Sequence, residues 1–115
     1  MTSLLLVDDN QEFCESSMAL LRQDGFEVIG SVATGAAAVA AVHTLHPDVV
    51  ILDVQLPDFD GFQVARWLAL LDAPPVVILI SSRDVSNYGR LIDDAPVRGF
   101  IDKVKLDGVA VAALV

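Results

Sequence analysis

Cysteine is nearly absent: Cys14 stands alone in 115 residues. No intramolecular disulfide can form, so the fold rests on its core, and a reducing compartment fits. Basic residues are also scarce, 7 Lys and Arg against 16 Asp and Glu, for a formal net charge of −9. Neutralising phosphates takes a basic surface, so direct nucleic-acid contact by this domain is disfavoured, as is docking on an anionic membrane. No apolar run approaches the roughly 18 residues of a membrane span. Asp8 and Asp9 follow the first methionine after only a few apolar residues, too early for a signal peptide. The cytoplasm is therefore the expected location. No repeat, linker or low-complexity tract divides the chain, so residues 1–115 are expected to form one domain. With 54% hydrophobic residues it has the material for a core and is not a disordered tail.

What is present is a succession of short apolar runs, each ending at a residue capable of chemistry. The central one is Val49-Val50-Ile51-Leu52-Asp53, with Gln55, Leu56 and Pro57 close behind. Four large aliphatics, three of them β-branched, in a short run read as a strand buried on both faces of a parallel sheet. Ser3–Val7 is a second such run and meets Asp8-Asp9-Asn10. Val76–Ile80 is another, ending in Ser81-Ser82. Phe26–Val32 and Val97–Ile101 complete a set of five, the last stopping just short of Lys103.

Helical patterns fill the intervals. Phe13, Leu20 and Leu21 recur at helical spacing, with Asp9 or Asn10 as N-cap and Gly25 as the stop. Thr34 caps a helix of alanines and valines that runs to about Leu45, closed by Pro47. Asp60-Gly61 opens a helix carrying Phe62, Val64, Ala65, Leu68 and Leu71. Val85–Asp94 is a weaker helix, with Tyr88, Leu91 and Ile92 on one face and Gly89 inside it. Leu106–Val115 is the last. Strand and helix alternate five times, so the right-handed crossover rule predicts one parallel sheet with helices on both faces. The expected fold class is α/β, a flavodoxin-like (βα)5 three-layer sandwich whose five-stranded parallel sheet has the order 2-1-3-4-5.

In that order Asp8, Asp9, Asp53, Ser81 and Lys103 converge on one edge, where such sheets bind ligands. Clustered carboxylates repel one another unless a cation intervenes. All-oxygen ligation with room for water suits Mg²⁺ or Mn²⁺. A lysine and a hydroxyl beside such a site suit the oxygens of a phosphoryl group, and a carboxylate can itself be the nucleophile.

The motifs LLLVDDN, VVILDVQLPDFDG, VVILISS and GFIDK together resemble the receiver domain of two-component response regulators, over Leu4 to about Leu114. SSRD and GFIDKVKL look most like receivers of the NarL/FixJ type. The resemblance implies that Asp53 is the phosphoacceptor, modified by a histidine kinase or histidine phosphotransfer protein. It implies Mg²⁺ ligation by Asp9, Asp53 and the backbone carbonyl of Gln55, with Asp8 acting mainly through a metal-bound water. Lys103 would pair with phosphoryl oxygens. Ser81 would donate to the phosphoryl group and move toward it on activation, and the Ser82 N–H would help hold it. Phe100 matches an aromatic that changes rotamer with that movement. Such a protein assists its own phosphorylation and dephosphorylation without being a turnover enzyme. A homodimer formed on phosphorylation follows by family analogy. Gln55 and Arg83 stand where the family tunes loss of the phosphoryl group, and an ordinary or longer lifetime is expected. Val104 departs from the proline common after the lysine.

Plainer readings stand beside these. Cys14 reads as a core thiol, Trp67 as packing, and Pro57 and Gly61 as turn residues. His43 and His46 could hold a metal, but a helix C-terminus also favours histidine. A phosphorylation-independent receiver-like interaction module is the alternative function. A haloacid-dehalogenase-like phosphatase would need an Asp-x-Asp motif where Val54 and Gln55 follow Asp53, and a flavodoxin would need a phosphate loop where Asp8 and Asp9 stand. The output is not named by the sequence: this is either a stand-alone receiver or a piece of a longer regulator carrying a helix-turn-helix domain.

Overall fold

The computed structural model describes all 115 residues. Its five strands are β1 (Ser3–Val7), β2 (Glu27–Val32), β3 (Val49–Asp53), β4 (Val76–Ser81) and β5 (Gly99–Asp102). They form one sheet of order β2-β1-β3-β4-β5, as the crossover rule predicts, and every pairing is parallel. Five helices connect or follow them: α1 (Gln11–Gln23), α2 (Gly35–Leu45), α3 (Gly61–Ala69), α4 (Arg90–Asp93) and α5 (Gly108–Ala112).

The strands alternate their side chains between two apolar layers, as a pleat requires. Leu5, Val7, Val50, Leu52, Val77 and Leu79 pack with Ala38 and Val42 of α2 and with Phe62, Ala65 and Leu68 of α3. Leu4, Leu6, Val49, Ile51, Ile78 and Ile80 pack on the other face with Cys14 and Leu21 of α1 and Val111 of α5. β3 is buried along its whole length, which explains why it reads as an unbroken aliphatic run. Each fully buried Leu or Ile of these layers contributes roughly 1.5–3 kcal/mol by leaving water.

The helix starts are set by local side chains. Asn10 accepts from the Phe13 N–H at 3.0 Å, Thr34 from Ala37 at 3.1 Å and Asp60 from Gln63 at 2.8 Å. Asn10, and not Asp9, is therefore the first cap, and Asp9 is left exposed at the strand end. α2 ends on His46 in the left-handed region at φ 49°, its N–H bonded to the Val42 carbonyl. His43 lies in the last turn of this helix and His46 is its C-cap.

Three elements differ from the sequence reading. The expected helix over Val85–Asp94 is broken: Val85–Asn87 form a 3-10 turn, Gly89 takes φ +49°, and α4 keeps four residues with none buried. Gly89 adopts a backbone conformation that a helix interior does not contain. The expected strand Val97–Ile101 is shifted to Gly99–Asp102 because its register is set by β4, Ile78 to Gly99 through Ser81 to Asp102. The last helix is also shorter. Lys103–Lys105 form a 3-10 turn, Leu106 turns inward, and Asp107 caps α5 from the Ala110 N–H at 2.8 Å.

Candidate functional site

The C-terminal ends of β1, β3, β4 and β5 bring Asp8, Asp53, Ser81 and Lys103 together. Asp53 is 4% exposed and Asp8 2%. Carboxylates this buried need partners. The Asp53 Oδ1 accepts from the Gln55 N–H at 3.1 Å, and its Oδ2 accepts from Lys103 Nζ, also at 3.1 Å. Asp8 Oδ1 accepts from the Asn10 N–H at 2.9 Å. Its Oδ2 has no well-aligned hydrogen-bond donor, yet Lys103 Nζ lies 2.6 Å away as a counter-charge. One ammonium thus bridges two buried carboxylates from two strands.

The energetics follow from that arrangement. Burial pushes the Asp53 carboxyl above its usual range, the Gln55 N–H opposes this, the Asp8 charge adds to it and Lys103 pulls it back. Burial pulls the Lys103 ammonium down, but its close contact with the Asp8 carboxylate and the charges of Asp53 and Asp8 outweigh that and hold it raised. The lysine is further placed by Phe13 of α1, whose ring centroid lies 4.9 Å from Nζ.

Asp8, Asp9 and Asp53 each offer a carboxylate oxygen, and the three oxygens lie within 4.8 Å of one another. An all-carboxylate donor set of this spacing, with one buried oxygen short of a hydrogen bond, fits a hard divalent cation. Asp9 is the exposed member, open to solvent. Gln55 is exposed at the start of the β3–α3 loop, and Ser82 and Arg83 are exposed beyond β4.

The neighbouring backbone is held tightly. Gly61 donates to the Val54 carbonyl at 2.7 Å, and a Cβ on it would lie 2.5 Å from the Asp53 carbonyl oxygen. Glycine is required there by close approach, beyond the turn chemistry read from the sequence. Cys14 is a core thiol as expected: its Sγ–H donates to the Asp8 carbonyl at 3.4 Å, and burial followed by the Asp8 charge pushes the thiol up. Trp67 packs edge-on against Phe59 with ring centroids 4.7 Å apart and against the core layer beneath α2 and α3. Val104 donates its N–H to Asp102 at 3.1 Å, a bond that proline could not make.

Three contributors lay outside the sequence reading. Phe13 roofs the lysine, as described. Tyr88 places its hydroxyl 2.7 Å from Ser81 Oγ. Asp58, in the β3–α3 loop, accepts from the Gly35 N–H at 2.8 Å and the Ala36 N–H at 3.0 Å, pinning the loop after Asp53 to the start of α2. The hydrogen bond from Ala36 acts most strongly on its carboxyl; burial opposes it, and the further bonds from the N–H groups of Gly35, Asp58 itself and Phe59 leave the carboxyl below the usual range. A lowered carboxyl pKa gives stability that is fully present above the unfolded value of about 3.9 and is lost as pH falls through the folded value. Asp58→Ala should therefore lower Tm at neutral pH, and the gap to the native chain should close in acid. Thermal unfolding followed at both pH values checks this; an equal gap at both would show that the carboxylate charge plays no part.

The fold and the site together define a class of domain: a doubly wound sheet with an acidic cluster and one lysine at its C-terminal edge. The response regulator receiver domain family model matches residues 4–112. The chain belongs to that family. It is 31% identical over 99 residues to the DNA-binding transcriptional activator EvgA of Escherichia coli K12, covering 86% of this chain and 48% of that protein. It is 38% identical over 106 residues to the positive alginate biosynthesis regulatory protein of Pseudomonas aeruginosa, covering 84% and 42%. The chain thus spans about half the length of these relatives. Among solved structures it is similar to the receiver domain of NarL from Mycobacterium tuberculosis, at TM-score 0.85 and 28% identity over 97% of this chain and 93% of that one. A CheY-like receiver from Methylobacillus flagellatus shares the fold at TM-score 0.85 and 23% identity over 98% and 94%. No helix is long and apolar enough to cross a membrane.

Proposed function

We propose that residues 1–115 form one receiver domain that accepts a phosphoryl group on Asp53 from a histidine kinase or histidine phosphotransfer protein. The observation that carries this reading is the Asp53 carboxylate at the end of β3, within 3.1 Å of a lysine that also pairs with Asp8, inside a three-carboxylate cluster. One Asp53 carboxylate oxygen attacks phosphorus, and an acyl-phosphate O–P bond forms. The P–N bond of the phosphohistidine breaks, and the imidazole leaves with the bonding pair.

Asp9, Asp53 and the Gln55 carbonyl would hold Mg²⁺ or Mn²⁺, with Asp8 reaching it mainly through water. The cation supplies charge neutralisation of the transferring oxygens. Lys103 pairs with the phosphoryl oxygens, leaving its resting place between Asp8 and Asp53. Ser81 donates to the phosphoryl group, and the Ser82 N–H assists. The domain aids its own phosphorylation and hydrolysis but turns over no separate substrate. It reads its charge out as a change in partner contacts, a phosphorylation-dependent homodimer among them. Its own surface carries the acidic balance that disfavours nucleic acid, while relatives such as EvgA are DNA-binding proteins by name.

Intact mass after incubation with acetyl phosphate, and with phosphoramidate as a P–N donor, tests the reading. The expected result is a Mg²⁺-dependent gain of one phosphoryl group per chain. No gain from either donor, together with no Mg²⁺ binding by calorimetry, would leave the phosphorylation-independent interaction module as the function.

A further inference from the structure

Ser81 ends β4 immediately beside the phosphoacceptor, since Asp53 pairs with Ile80 across the sheet. It is 1% exposed, so its hydroxyl must find its partners inside the protein. A serine hydroxyl has one hydrogen and two lone pairs. The Arg83 N–H donates to one lone pair at 3.0 Å. Tyr88 OH takes a second position at 2.7 Å, the ordinary length of a good O–H···O bond. Both hydroxyls can donate or accept, so the pair is self-sufficient without a phosphoryl group.

We propose that Tyr88 is the positioning residue that holds the Ser81 hydroxyl in the unphosphorylated chain and yields it to the phosphoryl group on Asp53. The inference rests on the reading of Asp53 as phosphoacceptor. Phe100, the aromatic expected from sequence to follow the switch, has no hydroxyl and cannot hold Ser81. Instead its ring packs on Tyr88, centroids 5.8 Å apart, and Phe62 of α3 packs on the same tyrosine at 5.7 Å. Tyr88 therefore links the strand-end hydroxyl to β5 and α3 at once. Any displacement of its ring must be felt by Phe100.

Tyr88 also sits in a weakly packed segment. It closes the 3-10 turn Val85–Asn87 and precedes Gly89 at φ +49°, and the four residues of α4 beyond it are all without full burial. A groove lined by Gln55, Leu56, Phe62 and Leu91 lies beside the ring and leaves room for it to move. Few packed contacts oppose a rearrangement of a segment built this way. The phosphoryl group and Tyr88 compete for one hydroxyl, so loss of the tyrosine hydroxyl should favour the phosphoryl-accepting arrangement.

Tyr88→Phe removes that hydroxyl and keeps the ring between Phe62 and Phe100. With acetyl phosphate and saturating Mg²⁺, this variant should gain its phosphoryl group about fivefold faster than the native chain, the population shift expected from one neutral hydrogen bond. In a Ser81→Ala background the same change should have no effect, because the partner is already gone. A packing role for Tyr88 would give the same change in both backgrounds, and that outcome overturns the proposal, as does an unchanged rate in the single variant. Tyr88 is the only tyrosine, so 3-fluorotyrosine labelling gives one ¹⁹F resonance. It should shift when the native chain is phosphorylated, and in Ser81→Ala it should already stand near the shifted position. A native chain that gains the phosphoryl group without moving this resonance sinks the Tyr88 proposal alone. A native chain that takes up no phosphoryl group from either donor and binds no Mg²⁺ sinks the Asp53 reading and this proposal with it.

Discussion

Asp53→Asn takes up no phosphoryl group under conditions that modify the native chain, and it is more stable to heat at neutral pH. The first half follows from chemistry, because an amide oxygen is not a competent nucleophile toward phosphorus. The second follows from burial. Desolvation raises the Asp53 carboxyl, with the Asp8 charge adding to it, and the Gln55 N–H and Lys103 only partly compensate. A carboxyl raised in the folded state binds protons that the unfolded chain has released, so its charge costs stability as pH climbs from the unfolded value of about 3.9 through the folded one. Asparagine removes that cost. It can still accept from the Gln55 N–H, and Lys103 keeps Asp8 at 2.6 Å. Intact mass and thermal unfolding check both halves. Labelling retained in the variant would move the acceptor to another residue. A lower Tm at neutral pH, or a gain that persists in acid, would show that Asp53 is held by its partners more strongly than burial opposes it.

The second large effect is expected at Lys103. Its side chain is 18% exposed and is the cation in contact with both buried carboxylates. Lys103→Ala leaves Asp8 and Asp53 facing each other, with Asp8 Oδ2 buried and without its counter-charge. Removing one partner of a buried ion pair costs on the order of 3 kcal/mol, and denaturation in Mg²⁺-free buffer should show a loss of that size. Added Mg²⁺ should restore much of it, since a divalent cation between the carboxylates replaces the missing charge. The increase of Tm with Mg²⁺ should therefore be larger in the variant than in the native chain. Lys103→Met retains the apolar stem beside Phe13 and separates packing from charge: it should lose nearly as much stability as the alanine variant. If Mg²⁺ raised both variants no more than the native chain, Lys103 and the cation would not share the same carboxylates. The phosphorylated Lys103→Ala chain should also lack the conformational response, since no ammonium remains to be drawn to the phosphoryl oxygens. An unaltered activated state would remove Lys103 from the switch.

Most of the sheet was legible because its signals are local. Val49–Leu52 and Val76–Ile80 are uninterrupted aliphatic runs, and a strand buried on both faces has no other pattern open to it. The expectation that Asp8, Asp53, Ser81 and Lys103 meet followed from strand order and strand ends alone. Reading failed where backbone pairing or a special dihedral decides. The boundaries of β5 are set by its register on β4 and not by its own Val97. The helix over Val85–Asp94 had a usable apolar face, yet Gly89 took a positive φ and broke it.

The amino-acid sequence by itself determined the five apolar runs, the first three helices with Thr34 and Asp60 as caps, and the residues at the strand ends. Each depends on neighbours a few positions away, within reach of a hydrogen bond or a turn of helix. Only the tertiary structure decided how Lys103 divides its charge between Asp8 and Asp53, that Phe13 covers it, that Asp58 ties the β3–α3 loop to α2, and that Tyr88 engages Ser81. Tyr88 and Ser81 are seven residues apart, but the turn between them has no regular period from which their meeting could be read. The others join residues far apart in the chain, and such contacts exist only once the sheet has closed and fixed which side chains share one edge.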